Sequence, residues 1–146
     1  MKRILVGYDG SAGGQRALER AIEEAEKTRS RITVLSVLNV PLDPDVPRNF
    51  GTLDDISDRE GEALGPPPDV LEHLAAARDR LAEAGIDADL TWGAGPAGDV
   101  IVQAAERLRA DVIVVGEHHH GFLARAFGGD VGAEVKRAAG CDVILA

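Results

Sequence analysis

Two short segments in the second half of the chain carry the groups best suited to chemistry. Gly116-Glu117-His118-His119-His120-Gly121 is followed, after a brief interval, by Gly128-Gly129-Asp130-Val131. Glycines let a backbone come close to a ligand. A helix opening behind a glycine pair offers unpaired N–H groups and its positive dipole end to an anion. The pattern suits a phosphate group, although doubly wound folds also place glycines wherever strands end. His118, His119 and His120 read either as phosphate contacts or as an exposed polar loop. Imidazoles titrate near about pH 6.5, so their pull on an anion would grow in acid. Consecutive residues seldom converge on one ion and no cysteine adjoins these three, so no metal ligand is assigned. A third segment, Asp9-Gly10-Ser11, sets a carboxylate and a hydroxyl directly after an apolar run. Asp9 reads as a ligand contact or as a turn residue ahead of Gly10, and Ser11-Ala12-Gly13-Gly14 as a turn with the N-cap of a helix. No Gly-x-Ser-x-Gly and no nucleophile paired with a base by motif is present, so no catalytic residue is assigned.

These segments must be held by the elements around them, and those elements alternate. Ile4-Leu5-Val6 reads as a strand. From Gln15 to Thr28, Ala17, Leu18, Ala21, Ile22 and Ala25 recur at helical spacing against a charged opposite face. Ile32 to Leu38 is nearly continuous apolar, as expected of a strand covered on both faces. A second helix is expected after Pro66-Pro67-Pro68 and up to Ala84, with Leu71, Leu74, Ala75, Arg78 and Leu81 spacing its inner face. Ile86 to Trp92 reads as the third strand, Pro96 to Arg109 as the third helix, and Asp111 to Gly116 as the fourth strand. A fourth helix follows Gly129, and Asp142 to Ala146 closes the chain as a strand. Strict β-α alternation predicts a three-layer α/β/α doubly wound fold, with a five-stranded parallel sheet and right-handed crossovers. Such sheets bind ligands beyond the carboxyl ends of their strands, at the point where strand order reverses. Asp9 to Gly14 and Gly116 to Val131 are the segments that reach that place.

Residues 40–68 interrupt the alternation with six prolines and seven acidic residues against Arg48 and Arg59. A connection longer than about 12–15 residues is usually a lid, a partner surface or a solvated loop. Composition excludes several functions. With 16 basic and 25 acidic residues the chain carries −9, a poor balance for holding nucleic acid or an anionic membrane. No segment approaches the roughly 18 apolar residues of a membrane span. One cysteine, Cys141, excludes an internal disulfide, is expected to be a buried structural thiol, and argues for a reducing, cytoplasmic setting. A chain of 146 residues fits a single domain over its whole length.

Taken in order, four pieces resemble the universal stress protein (UspA) family: Ile4-Leu5-Val6-Gly7-Tyr8-Asp9-Gly10-Ser11, Gly93-Ala94-Gly95-Pro96-Ala97, Ala110-Asp111-Val112-Ile113-Val114-Val115-Gly116, and the closing Ala138 to Leu145. The resemblance spans nearly the full chain. It implies a strand order of 3-2-1-4-5 and a homodimer joined through the last strand. It also implies a cleft for ATP or another adenine nucleotide, with Mg²⁺ as the counter-ion such a ligand can bring. By position, Asp9 matches the family's ribose- or adenine-side aspartate and Val37 the adenine contact; Gly116 matches the first glycine of the phosphate loop, Gly129 its last glycine, and Val131 the residue after the loop's hydroxyl.

Two positions depart from the ATP-binding pattern. His119 stands at the second glycine, and Asp130 stands at the Ser/Thr whose hydroxyl meets phosphate. A carboxylate there repels a triphosphate, and a shielded cleft strengthens the repulsion. Asp130 would also serve as an N-cap for the fourth helix, filling an anion site with an internal anion. The expectation is a stress-response regulator whose nucleotide cleft binds ATP weakly. Two alternatives stand beside it: a slow ATPase or nucleotide hydrolase, and a non-nucleotide regulator that binds a protein through the acidic segment 40–68.

Overall fold

The structure is a computed structural model that describes residues 2–39, 50–52, 68–116 and 131–146. The chain order is β1 (Arg3–Gly7), α1 (Ala12–Thr28), β2 (Arg31–Asn39), β3 (Phe50–Thr52), α2 (Pro68–Glu83), β4 (Ala88–Gly95), α3 (Ala97–Leu108), β5 (Val112–Val115), α4 (Val131–Ala138) and β6 (Asp142–Leu145). The sheet runs β3-β4-β2-β1-β5-β6. Its five strands other than β3 are parallel, in the expected order 3-2-1-4-5 when counted among themselves. The addition is β3, three residues within the segment read as a loop, which pairs antiparallel with Thr91–Gly93 of β4. Phe and Thr suit a strand, in a stretch otherwise rich in Pro and Asp, which do not.

Two apolar layers clamp the sheet. On one face α1 and α2 pack Ala17, Leu18, Ile22, Leu74 and Leu81 onto Ile4, Val6, Ile32, Val34 and Val114. On the other, α3 and α4 bring Val100, Ile101, Ala104 and Val135 against Leu5, Leu35, Ile113 and Val115. Small Ala residues let these helices lie close, and branched aliphatics fill the pleats. In α2, Leu74 and Leu81 are buried as expected, but Val70 and Ala77 take the places expected of Leu71, Ala75 and the exposed Arg78. Val70, Leu74, Ala77 and Leu81 are buried, whereas Leu71 is 36% exposed and Ala75 only half-buried. Spacings of four, three and four residues follow the 3.6 period, and that phase leaves Leu71 outside. The third strand also runs later than predicted. Gly93-Ala94-Gly95 pairs with Val37, Leu38 and Asn39 before Gly95, at φ +140, turns the chain into α3.

The connections locate the switch point. After β1 the chain enters α1, on one face; after β5 it continues to α4, on the other. β1 and β5 are neighbours, with Val6 opposite Val114. β1 ends at Gly7 and β5 at Val115, whereas β2 and β4 continue together to Asn39 and Gly95. The carboxyl end of the sheet is therefore stepped, with its low side at β1 and β5. No helix among the described residues is long and apolar enough to cross a membrane.

Candidate functional site

At the low side of the step, two chain segments meet almost backbone to backbone. A Cβ placed on Gly116 would lie 2.5 Å from both the carbonyl carbon and the oxygen of Gly13. Gly116 thus faces the first turn of α1, and its lack of a side chain is what allows β5 to end there. Gly14, one residue on, is equally confined: a Cβ there would stand 2.6 Å from Asp9 Oδ1. Glycine is a poor helix former, by about 1 kcal/mol against alanine. A Gly-Gly pair in the opening turn of a helix is explained by this close approach.

Asp9 occupies the turn between β1 and α1 and is half-buried. Its Oδ1 accepts the Ser11 N–H at 3.0 Å and also the Ser11 hydroxyl. Ser11 caps α1 in turn, its Oγ accepting the Gly14 N–H at 3.0 Å. This realises the turn-and-cap reading of Ser11–Gly14 and shows that Asp9 braces the start of the helix. Gly10 holds φ +76, in the left-handed region open to glycine. Before it, the Tyr8 N–H donates to the Leu35 carbonyl at 2.9 Å, while the ring enters the layer beneath α1 and α2. Burial, aided by the negative charge of Asp9, pushes the Tyr8 phenol above its ordinary pKa.

Val37 lies on β2, past the end of β1, on the face covered by α3 and α4. It is half-buried and sits opposite Gly93. A floor of glycine and aliphatic groups therefore lies at the carboxyl end of the sheet on this face. Gly7 continues it, since a Cβ there would stand 3.2 Å from Val115 Cγ1 and 3.7 Å from Ile101 Cδ1. Val131 begins α4, so the helix start expected behind Gly129 is present. His119, Gly129 and Asp130, with His118 and His120, lie outside the described residues. Of the residues singled out in sequence, Asp9, Val37 and Gly116 come to one end of the sheet, with Asp9 and Gly116 joined through Gly13 and Gly14.

An open groove of about 800 Å³ runs along the outer side of α1, lined by Tyr8, Gln15, Arg16, Glu19, Arg80 and the terminal Ala146 among others. Its cations are engaged: the Arg80 Nη2 donates to Glu19 Oε2 at 2.8 Å, and Arg20 pairs with Glu23 and Glu24. The Arg80–Glu19 pair links α2 to α1 across this groove, with both side chains partly exposed. Cys141 is half-buried, not fully buried as expected, because it stands at the rim of the α3–α4 layer ahead of β6. Its thiol is still pushed above its ordinary pKa, by burial first and then by Asp142 and Asp111.

Sequence reasoning placed Gly13 and Gly14 in the segment that reaches this end but not in contact with Gly116 and Asp9, and it did not find His73. The glycine pair carried a signal, namely two poor helix formers at a helix start. His73 of α2 carried none; it meets the turn only in three dimensions, its imidazole packed on Gly10 and edge-on to Tyr8 with ring centroids 6.4 Å apart.

Comparison with known proteins agrees with this fold. A sequence model described as "Universal stress protein family" matches residues 1–146. A universal stress protein of Mycobacterium tuberculosis is 30% identical over 145 residues, covering 99% of this chain and 94% of that protein. The stress response protein NhaX of Bacillus subtilis is 26% identical over 159 residues, covering 98% of this chain and 96% of its own. Among solved structures, a universal stress protein in complex with cAMP superposes with a TM-score of 0.70 at 26% identity, over 99% of this chain and 96% of that one. An Arabidopsis thaliana protein of the same family, with AMP bound, shares the fold at a TM-score of 0.64 and 20% identity, over 99% and 90% of the two chains.

Proposed function

The chain belongs to the universal stress protein family, and from that premise we propose that it binds an adenine mononucleotide at the carboxyl end of its sheet and regulates a stress response by binding, not by turnover. The reading rests on one juxtaposition: the Asp9 turn and Gly116 share the switch point between β1 and β5, at the same end of the sheet as the apolar floor that holds Val37. A structural neighbour at 26% identity is described in complex with cAMP, which supports an adenine ligand of low charge. In this reading Asp9 serves the ribose or adenine and Val37 the adenine. Gly116 and the helix start at Val131, behind Gly129, would receive phosphate.

ATP fits less well. Asp130 immediately precedes α4, where the family's ATP-binding pattern has a hydroxyl, and His119 replaces a glycine. A missing hydrogen bond plus like-charge repulsion weakens triphosphate binding by roughly 1–3 kcal/mol, about 10–100-fold. Calorimetric titration with cAMP, AMP, ADP and ATP, with and without Mg²⁺, tests the proposal. Binding that weakens from mono- to triphosphate is expected, and Asp130→Ser should recover about tenfold for ATP. Micromolar ATP binding by the unaltered protein would overturn the repulsion argument. Hydrolysis of ATP would favour a slow ATPase, and no binding of any nucleotide would favour a protein partner at the acidic segment 40–68.

We also infer a homodimer through β6. The strand pairs with β5 on one side, has no strand on the other among the described residues, and carries half-buried Val143, Ile144 and Leu145. An open apolar edge of this kind favours pairing with another strand. Sedimentation velocity at micromolar concentration should return a dimer; a monomer would sink the inference.

A further inference from the structure

The turn that carries Asp9 is held from a direction the sequence does not announce. Gly10, at φ +76, has no side chain to fix it, and glycine alone visits many conformations. The imidazole of His73 fills the missing side chain's place. A Cβ built on Gly10 would fall 2.8 Å from His73 Cδ2 and 2.9 Å from Nε2, so the ring lies directly on the Gly10 backbone. The same ring meets Tyr8 edge-on, at 6.4 Å between centroids and 87° between planes, a favourable aromatic geometry. Its own position is fixed by α2, whose Val70 and Leu74 are buried in the cluster that holds Tyr8. His73 therefore touches the residues on either side of Asp9 in sequence. Across the turn, the Ser11 N–H and hydroxyl bind Asp9 Oδ1, and the Tyr8 N–H binds Leu35.

We propose that His73 is a positioning residue of the ligand site: it clamps the Tyr8–Gly10 turn onto α2 and so sets the direction in which Asp9 presents its carboxylate. The ligand half of this proposal rests on the adenine-nucleotide reading above; the structural half does not. A second consequence is that α2 is mechanically connected to the site.

The test combines amide hydrogen exchange by NMR with titration of AMP. In His73→Ala, the Ser11 amide, which reports the Asp9 bond, should exchange about tenfold faster, while Ala21 in the middle of α1 keeps its protection. His73→Phe, which restores a ring, should return Ser11 to its original protection. Unchanged Ser11 exchange in His73→Ala, or faster exchange that a ring does not rescue, would overturn the clamp. Should His73→Ala fail to fold, His73→Leu, of similar bulk without a ring, takes its place in the same comparison. In the titration, His73→Ala should weaken AMP about tenfold on its own and not further in an Asp9→Ala background, because it acts through Asp9. Full additivity of the two substitutions would overturn that route. If the unaltered protein binds no AMP, the nucleotide reading fails, and the exchange measurement still decides the clamp.

Discussion

The two ends of this sheet are built by opposite means. At the carboxyl end, chain segments meet through glycines: Gly116 on Gly13, Gly14 on Asp9, and Gly10 under His73. At the amino end they meet through charged side chains. Arg31 holds Asp89 with two bonds, of 2.9 and 3.1 Å, across the starts of β2 and β4. The Arg3 N–H donates to Asp111 Oδ2 at 2.9 Å, and its guanidinium to the Leu108 carbonyl at 3.0 Å. A small crevice of about 170 Å³ lies among Arg3, Arg31, Asp89 and Leu108. Where backbone meets backbone, one added carbon has nowhere to go. Where long side chains meet in water, solvent replaces whatever is lost. The end proposed to bind the ligand is thus the end least able to change.

The largest effect is expected at Gly116→Ala. Its methyl group would stand 2.5 Å from Gly13 backbone atoms, which cannot swing aside as a side chain can. Overpacking of this kind costs about 1–3 kcal/mol, and a backbone clash belongs at the upper end. Urea denaturation should place the loss near 3 kcal/mol, a fall in midpoint temperature of about 6–12 °C for a chain of this size. A loss no greater than that of an exposed charge would break the contrast between the two ends.

What the sequence could convey follows the same division. Periodicity is a local property, so the alternation of elements, the apolar faces of α1 and α3, and the doubly buried β2 were legible. The phase of α2 was not, because the eye favours Leu71 over Val70, and only the packing of Val70, Leu74, Ala77 and Leu81 decides it. Three-residue β3 offers too short a pattern to separate from a loop. The candidate site was legible in its placement, not in its contacts. Asp9, Val37 and Gly116 lie at strand ends that topology brings together, so position alone pointed to them. Gly13 against Gly116, and His73 against Gly10, are contacts between distant parts of the chain with no shared motif. The glycines stood in plain view, and their cause lay elsewhere.

A smaller effect, with the opposite sign, sharpens the comparison. Arg29 and Arg109, the C-caps of α1 and α3, both adopt φ 52 at the amino end of the sheet. A side chain in this region costs about 1 kcal/mol or more, partly offset by the entropy glycine loses on folding. Arg29→Gly should therefore stabilise the protein by about 0.5–1 kcal/mol in the same denaturation assay. The third such connection already uses glycine: Gly85 has φ +72 and nothing within 4 Å of a built Cβ. Glycine is thus wanted at the amino end for conformation alone, while at Gly116 it is wanted for space. A destabilised Arg29→Gly would mean that the arginine side chain contributes more there than its backbone strain removes.

The smallest effect is expected where the drawn structure looks strongest. Arg31 and Asp89 make a two-pronged pair, yet their side chains remain 59% and 52% exposed. Water solvates both charges when the pair is broken, and holding two long side chains in one geometry costs entropy. Salt at about 0.15 M screens what attraction is left. Arg31→Ala should leave the denaturation midpoint within experimental error at that ionic strength and lower it only slightly in dilute buffer. Asp89→Ala should behave alike, and the double variant should match the sum of the two. If either loss approached that of Gly116→Ala, or if the pair proved strongly coupled at about 0.15 M salt, the amino end would be as rigidly specified as the carboxyl end. The intolerance to change at Gly116 could then no longer be set apart as the mark of backbone contact at the carboxyl end.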